Sequence, residues 1–135
     1  MSASAHLEKN HTILIVDDDP ICLRVLQAHL QDAGYKTILA GNGREAWEKL
    51  TGSHINFSVI LADRVMLDID GIELLKKVKA SPALRHIPVI MVTGEADRKE
   101  VIDAVKFGVF DFVYKPLDSE ILLPLVARAI SHVDA

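Results

Sequence analysis

The stretch VILADRVMLDIDG, residues 59–71, places the carboxylate of Asp63 directly after four consecutive apolar residues. A short apolar run followed by loop residues and then a helical pattern is typical of a strand buried on both faces of a parallel sheet. Ligands of open parallel sheets bind outside the carboxyl ends of the strands. Asp63 is therefore a candidate functional residue, although an aspartate alone is also a common first residue of a turn.

The composition predicts one soluble globular domain. The chain has 135 residues, of which 50% are hydrophobic and 25% charged, enough to bury a core. A net charge of -4 argues against broad electrostatic binding to nucleic acid or to an anionic membrane. The sequence has one cysteine, Cys22, and shows neither a signal peptide nor a membrane span, so we expect a cytoplasmic location.

Strand and helix patterns alternate five times, which predicts a three-layer α/β domain with right-handed crossovers. Residues 1–12 are polar and unpatterned, so we expect a flexible leader there and a single domain over residues 13–133. The predicted strands cover residues 13–16, 37–40, 59–63, 89–92 and 111–114. The predicted helices run from about 20 to 33, from Gly43 to Gly52, from 71 to 80, from about 97 to 107, and onward from Asp118.

Residue types at the helix ends support these bounds. Pro20 suits a first turn, Gly34 and Gly108 suit C-terminal stops, and Asp118 is expected to cap the last helix. Pro124 lies past the first turn of that helix, where it should bend it. Apolar residues recur at helical spacing in the first helix (Ile21, Val25 and Leu26) and in the fourth (Val101, Ile102 and Val105). In the third helix, we expect Lys76, Lys77 and Lys79 to face largely outward.

Polar residues follow four of the apolar strands. These strands end in Asp17 and Asp18, in Asp63, in Thr93 and in Lys115, so parallel strands would bring the groups to one edge of the sheet. Three converging carboxylates repel one another and must bind protons or share a cation. Because the ligands are oxygens with no nearby histidine or thiolate, the favoured cation is Mg²⁺, which also accepts phosphate oxygens.

Phosphoryl transfer is the reaction that needs these groups. A carboxylate can act as the nucleophile and form an aspartyl phosphate, while the metal and Lys115 neutralise charge on the transferring oxygens. Thr93 would supply a hydroxyl hydrogen bond to the same phosphoryl group.

These residues resemble the receiver domain of bacterial two-component response regulators, and the match covers nearly everything from Ile13 to His132. The resemblance implies the flavodoxin-like (βα)5 fold, with a parallel five-stranded sheet in the order 2-1-3-4-5. The family's roles fall on Asp17 and Asp18 (acidic metal-binding pair), Asp63 (phosphoacceptor and metal ligand), Val65 (backbone carbonyl as metal ligand), Thr93 (hydroxyl residue), Phe112 (aromatic switch) and Lys115 (lysine before Pro116).

The resemblance also implies a phosphoacceptor signalling domain that assists only its own phosphorylation and dephosphorylation. Asp63 would take a phosphoryl group, in a reaction requiring Mg²⁺, from a sensor histidine kinase or a histidine phosphotransfer protein. Thr93 would then move toward the phosphoryl group and Phe112 would turn inward, which remodels the surface of the fourth helix, fifth strand and fifth helix for a downstream output domain or partner protein. A phosphorylation-dependent homodimer is left open.

Two departures and three alternatives accompany this interpretation. Leu67 stands where the family usually has proline, which predicts a less stiff loop, and Val65 and Glu95 occupy positions that tune phosphoryl lifetime. Residues 41–46, GNGREA, fit the G-x-G-x-x-A fingerprint of dinucleotide-binding proteins but leave the other strand-end residues unexplained. An aspartate-nucleophile phosphohydrolase would instead use Asp17, and an interaction module on the same fold would signal without phosphorylation.

Overall fold

The structure is a computed structural model that describes residues 11–66 and 68–134. Residues 1–10, which are most of the predicted leader, lie outside the described residues. So does Leu67, the position where proline is usual in the family that the sequence resembles. The strands are β1 (Thr12–Val16), β2 (Lys36–Ala40), β3 (Phe57–Asp63), β4 (Val89–Thr93) and β5 (Asp111–Tyr114). The helices are α1 (Pro20–Asp32), α2 (Gly43–Gly52), α3 (Gly71–Ala80), α4 (Arg98–Lys106) and α5 (Ser119–Asp134).

The five strands form one sheet in the order β2-β1-β3-β4-β5, which confirms the predicted fold. Every pairing is parallel. In the register of the central strands, Val16 lies beside Ala62, and Asp63 lies beside Val92. Because these pairs are the last residues of their strands or adjoin them, the carboxyl ends of β1, β3 and β4 lie at the same edge of the sheet.

Helices cover both faces of the sheet, and each face has its own hydrophobic cluster. Alternate side chains of β1 enter opposite clusters: Leu14 packs with Leu74 of α3, and Ile13 packs with Leu26 of α1. These four side chains are almost completely buried, and each contributes about 1.5–3 kcal/mol relative to an exposed position. Burial on both faces explains why the central strands are continuous apolar runs.

The helix ends agree with the signals in the sequence. Pro20 occupies the first turn of α1, whose N-cap residue is Asp19. Gly34 and Gly108 have φ angles of 96° and 89°, a backbone conformation that favours glycine after a helix. The Asp118 side chain accepts a hydrogen bond of 2.9 Å from the backbone N–H of Glu120, as expected for an N-cap residue of α5.

Several of the apolar residues that recur at helical spacing in α1 and α4 are exposed. Ile21 is 73% exposed and Val105 is 63% exposed, and Val25 and Ile102 are also exposed. In α4 the buried residue is Ala104, so the small side chain faces the sheet and larger apolar side chains face solvent. Helical spacing of apolar residues therefore does not by itself identify the buried side of these two helices.

Lys79 also differs from the expectation that the lysines of α3 face outward. Its ammonium group donates hydrogen bonds of 3.0 Å to the backbone carbonyls of Arg85 and Ile87. Burial lowers the pKa of Lys79. The lysine therefore ties α3 to the loop before β4, whereas Lys76 and Lys77 are exposed.

No helix of the described residues has the length and apolar character needed to cross a membrane.

Candidate functional site

Three aspartates meet at the carboxyl edge of the sheet. Asp17 and Asp18 follow β1, and Asp63 is the last residue of β3. One carboxylate oxygen of each residue lies within 4.8 Å of the others. Asp17 is fully buried and Asp63 is 8% exposed, whereas Asp18 is exposed. The cluster therefore has a buried floor and a side that water and small ions can reach.

Lys115, directly after β5, brings one ammonium group to this cluster. Its Nζ atom lies 3.6 Å from Asp63 Oδ1 and 3.7 Å from Asp17 Oδ2. The backbone N–H of Lys115 donates a 2.8 Å hydrogen bond to the carbonyl of Thr93, which fixes the start of the segment beside β4. One ammonium group cannot neutralise three carboxylates, so the site retains negative charge while all of them are ionised.

The pKa values reflect this imbalance. Burial, and next the repulsion from Asp17, raises the pKa of Asp63 to about 6 despite the attraction of Lys115. Burial lowers the pKa of Lys115, but the attraction of Asp63 and Asp17 outweighs it, and the net pKa is raised. At neutral pH Lys115 is therefore charged, and Asp63 is mostly ionised but more basic than an ordinary aspartate.

An oxygen of Asp17 lacks a hydrogen-bond partner. Asp17 Oδ1 accepts a 2.9 Å hydrogen bond from the backbone N–H of Asp19. In the described part of the chain, Asp17 Oδ2 is the buried side-chain polar atom without a hydrogen bond. Lys115 Nζ, 3.7 Å away, is too distant to form a hydrogen bond with it. An unsatisfied buried acceptor costs about 1–3 kcal/mol, which a metal ion bound directly to the oxygen would offset. An all-oxygen donor set of this kind, open to water, fits Mg²⁺.

The hydroxyl of Thr93 is hydrogen-bonded on both its hydrogen and its oxygen, beside the aspartate cluster. Thr93 is 2% exposed, and its hydroxyl donates a 2.7 Å hydrogen bond to the backbone carbonyl of Glu95. The same oxygen accepts a hydrogen bond of 3.3 Å from Arg64 Nε. Arg64 also forms an ion pair with Glu100 of α4. Neither Arg64 nor Glu100 could be predicted from the sequence, where the only signal is that Arg64 directly follows Asp63.

Phe112 lies on β5, and Val65 lies in the loop that follows Asp63 of the aspartate cluster. The Phe112 ring is half-buried and packs against the hydrophobic cluster that contains Leu14. Its centroid lies 6.3 Å from that of Tyr114, with the two rings 17° from parallel. Val65 lies in the loop after β3 with its side chain 57% exposed. The switch role of Phe112 and the metal-binding role of the Val65 carbonyl stay predictions.

Carboxylates of the chain itself occupy the glycine turn that fits the dinucleotide fingerprint. The backbone N–H of Gly41 donates to Glu45 Oε1 at 3.0 Å. The N–H groups of Gly43 and Arg44 donate to the two carboxylate oxygens of Asp68, at 3.1 and 3.0 Å. A bound pyrophosphate would need such N–H groups at the helix N-terminus. These contacts argue against the dinucleotide alternative and assign the turn a structural role.

Comparisons with known proteins identify the family. The profile of the response regulator receiver domain matches residues 13–127. The chain is 38% identical to the chemotaxis protein CheY1 of Helicobacter pylori over 111 residues, which cover 82% of this chain and 89% of that protein. It is also 38% identical to the transcriptional regulatory protein ZraR of Escherichia coli over 124 residues, 91% of this chain but 27% of that protein.

Solved structures agree. The signal receiver domain of a signal transduction histidine kinase from Syntrophus aciditrophicus superposes with a TM-score of 0.83 at 36% identity, over 91% of this chain and 92% of that one. The chemotaxis protein CheY4 of Vibrio cholerae superposes with a TM-score of 0.82 at 30% identity, over 88% and 98% of the two chains. Sequence, fold and relatives therefore agree, and the chain belongs to the response regulator receiver family.

Proposed function

We propose that this receiver takes a phosphoryl group on Asp63 from a sensor histidine kinase or a histidine phosphotransfer protein. The observation that carries the proposal is the position of the Lys115 ammonium group, 3.6 Å from Asp63 Oδ1, beside a cluster of three carboxylates. A receiver domain of a histidine kinase among the similar structures supports a phosphorelay context. The domain would assist only its own phosphorylation and dephosphorylation, in the cytoplasm.

Asp17, Asp18 and Asp63 would hold a Mg²⁺ ion, with the backbone carbonyl of Val65 as a further ligand. The lack of a hydrogen bond to the buried Asp17 Oδ2 and the all-oxygen donor set support this choice of metal. When bound, the ion supplies positive charge that offsets the repulsion between the carboxylates and the charge of the phosphoryl oxygens.

Asp63, Lys115 and Thr93 would each have a separate role in the reaction. A carboxylate oxygen of Asp63 bonds to phosphorus while the bond from phosphorus to the donor atom breaks. The raised pKa, about 6, makes the ionised Asp63 a stronger base than an ordinary aspartate while leaving it mostly ionised at neutral pH. Lys115 stays protonated and pairs with a phosphoryl oxygen. Thr93 donates its hydroxyl hydrogen to another phosphoryl oxygen after releasing Glu95.

The response would appear on a surface that we call the output surface, formed by exposed apolar side chains of α4, β5 and α5: Ile102, Val105, Tyr114 and Ile121. Movement of Thr93 and inward rotation of Phe112 would change this surface and its affinity for an output domain, a partner protein or a second phosphorylated copy. The receiver domain would span residues 13–133, together with Thr12, which already belongs to β1.

Phosphorylation by a small phosphodonor tests the proposal directly. The protein is incubated with acetyl phosphate, with and without Mg²⁺, and the intact mass is measured. We expect the mass of one added phosphoryl group with Mg²⁺ only, its loss in Asp63→Asn, and its retention in the control Asp32→Asn, an exposed aspartate at the end of α1. Loss in Asp17→Asn alone would favour the phosphohydrolase, and no mass gain in wild type would favour the interaction module.

A further inference from the structure

A hydrogen-bonded network connects Thr93 to the first turn of α4. Arg64 Nε donates to the Thr93 hydroxyl oxygen at 3.3 Å, and Arg64 Nη1 pairs with Glu100 Oε2. Glu100 Oε1 accepts a 3.1 Å hydrogen bond from the backbone N–H of Asp97, the N-cap residue of α4. Both oxygens of Glu100 are therefore engaged, so the Arg64 guanidinium group is anchored to the end of a helix.

This network holds the Thr93 hydroxyl in one orientation. A hydroxyl has a single hydrogen to donate, and here it is directed to the carbonyl of Glu95. Donation to a phosphoryl group on Asp63 requires that this hydrogen bond break and that the side chain move. Arg64 Nε, bonded to the same oxygen, opposes that movement for as long as Glu100 holds the guanidinium group in place.

The ion pair is sheltered enough to influence this equilibrium. The side chains of Arg64 and Glu100 are 23% and 29% exposed. Fully exposed ion pairs contribute little because water screens them and because two long side chains must be ordered. Here both side chains already make second hydrogen bonds, so part of the ordering cost is shared with contacts that do not depend on the pair.

We propose that Arg64 is a positioning residue, held by Glu100, that keeps Thr93 in its resting orientation and couples phosphoryl engagement by Thr93 to release of the first turn of α4. The inference rests on the proposed function, because it assigns a regulatory contact to the same site. Loss of the ion pair should make phosphoryl engagement easier. Engagement should in turn loosen the first turn of α4.

Beryllium fluoride, a phosphoryl mimic that binds carboxylates, provides the test without turnover. Its dissociation constant in the presence of Mg²⁺ is measured by fluorine NMR for wild type and Glu100→Gln. Glutamine keeps an oxygen for the capping interaction with Asp97 but removes the charge that holds Arg64. The matched control is Glu73→Gln, since Glu73 occupies the same position in the first turn of α3, three residues after the N-cap residue Asp70.

We expect Glu100→Gln to bind beryllium fluoride about threefold more tightly than wild type, and Glu73→Gln to bind as wild type does. Arg64→Lys should behave like Glu100→Gln, because one ammonium group keeps the charge but lacks the fork that reaches both partners. Hydrogen exchange gives a second readout. Beryllium fluoride should speed exchange in the first turn of α4 in wild type, and it should change that exchange less in Glu100→Gln, where the ion pair that couples Thr93 to the helix is already absent.

Two results would overturn the inference in different ways. If wild type binds beryllium fluoride with Mg²⁺ but Glu100→Gln binds equally or more weakly, Arg64 does not restrain Thr93 and the proposed function stands. If wild type shows no Mg²⁺-dependent binding, the proposed function fails and this inference fails with it.

Discussion

The negative charge of Asp63 destabilises the folded state. Burial and the repulsion from Asp17 raise its pKa to about 6 in the folded state, compared with about 3.9 in an unfolded chain. Between these two values the folded state binds more protons than the unfolded state, so stability falls as the pH rises through this range. The cost is absent below the unfolded pKa and fully present above the folded pKa.

Asp63→Asn should therefore stabilise the protein at pH 7 in metal-free buffer. We expect the free energy of unfolding to rise by about 1–2 kcal/mol, less than the roughly 3 kcal/mol equivalent to the full pKa shift, because water near Asp18 screens the repulsion. Urea denaturation with a chelator at pH 7 and at pH 4 measures the effect. The gain should disappear at pH 4, and an equal gain at both pH values would show that charge is not its cause.

Individual site residues differed in how well the sequence could predict their positions. Asp17, Asp63, Thr93 and Lys115 each follow or end an apolar run, so a parallel sheet dictates their common edge. The contact between Arg64 and Glu100 joins residues 36 positions apart and depends on where the first turn of α4 lies. Neither residue belongs to a pattern that would have predicted the pairing.

At the level of elements, hydrophobic spacing predicted the helices better than their buried sides. In α4 the spacing of Val101, Ile102 and Val105 predicted that they share one side, and of these residues Ile102 and Val105 are 44% and 63% exposed. Helical periodicity shows that apolar residues share a side, but it does not show whether that side meets the chain's own core or a partner. Contiguous exposed apolar groups often mark interaction sites, which agrees with their place on the output surface.

The loop after β3 is fastened to the N-terminus of α2 by Asp68. Both of its carboxylate oxygens accept backbone hydrogen bonds, from Gly43 and Arg44. Burial raises the pKa of Asp68, but the backbone hydrogen bonds, first that of Arg44, outweigh it and lower the pKa. A lowered pKa means that the contribution to stability is present above the unfolded pKa and is lost as the pH falls through the folded pKa.

Asp68→Ala should lower the free energy of unfolding by about 1 kcal/mol, because it leaves two N–H groups of the first turn of α2 without their partner. Glu48→Ala, an exposed change on the same helix, should alter it by less than about 0.5 kcal/mol. Chemical denaturation at pH 7 measures both variants. Equal effects of the two substitutions would mean that Asp68 does not fasten the loop to the helix.

At the scale of the whole molecule, the fold could be predicted because few topologies satisfy five alternating strands and helices with right-handed crossovers. The sheet order then brings the ends of β1, β3, β4 and β5 together, so the candidate site follows from the fold. Contacts made by loops and by the margins of helices depend on side-chain packing. Spacing in the sequence does not encode that packing, which is why the Arg64 and Asp68 contacts emerged only in the structure.

The central claim is that Asp63, at the meeting point of these strands, accepts the phosphoryl group. Borohydride reduces an aspartyl phosphate to homoserine, so peptide mass spectrometry after reaction with acetyl phosphate and Mg²⁺ identifies the modified residue. We predict homoserine at position 63 and unmodified aspartate at positions 17 and 18. Homoserine at position 17, or at neither 17 nor 63, would contradict the account.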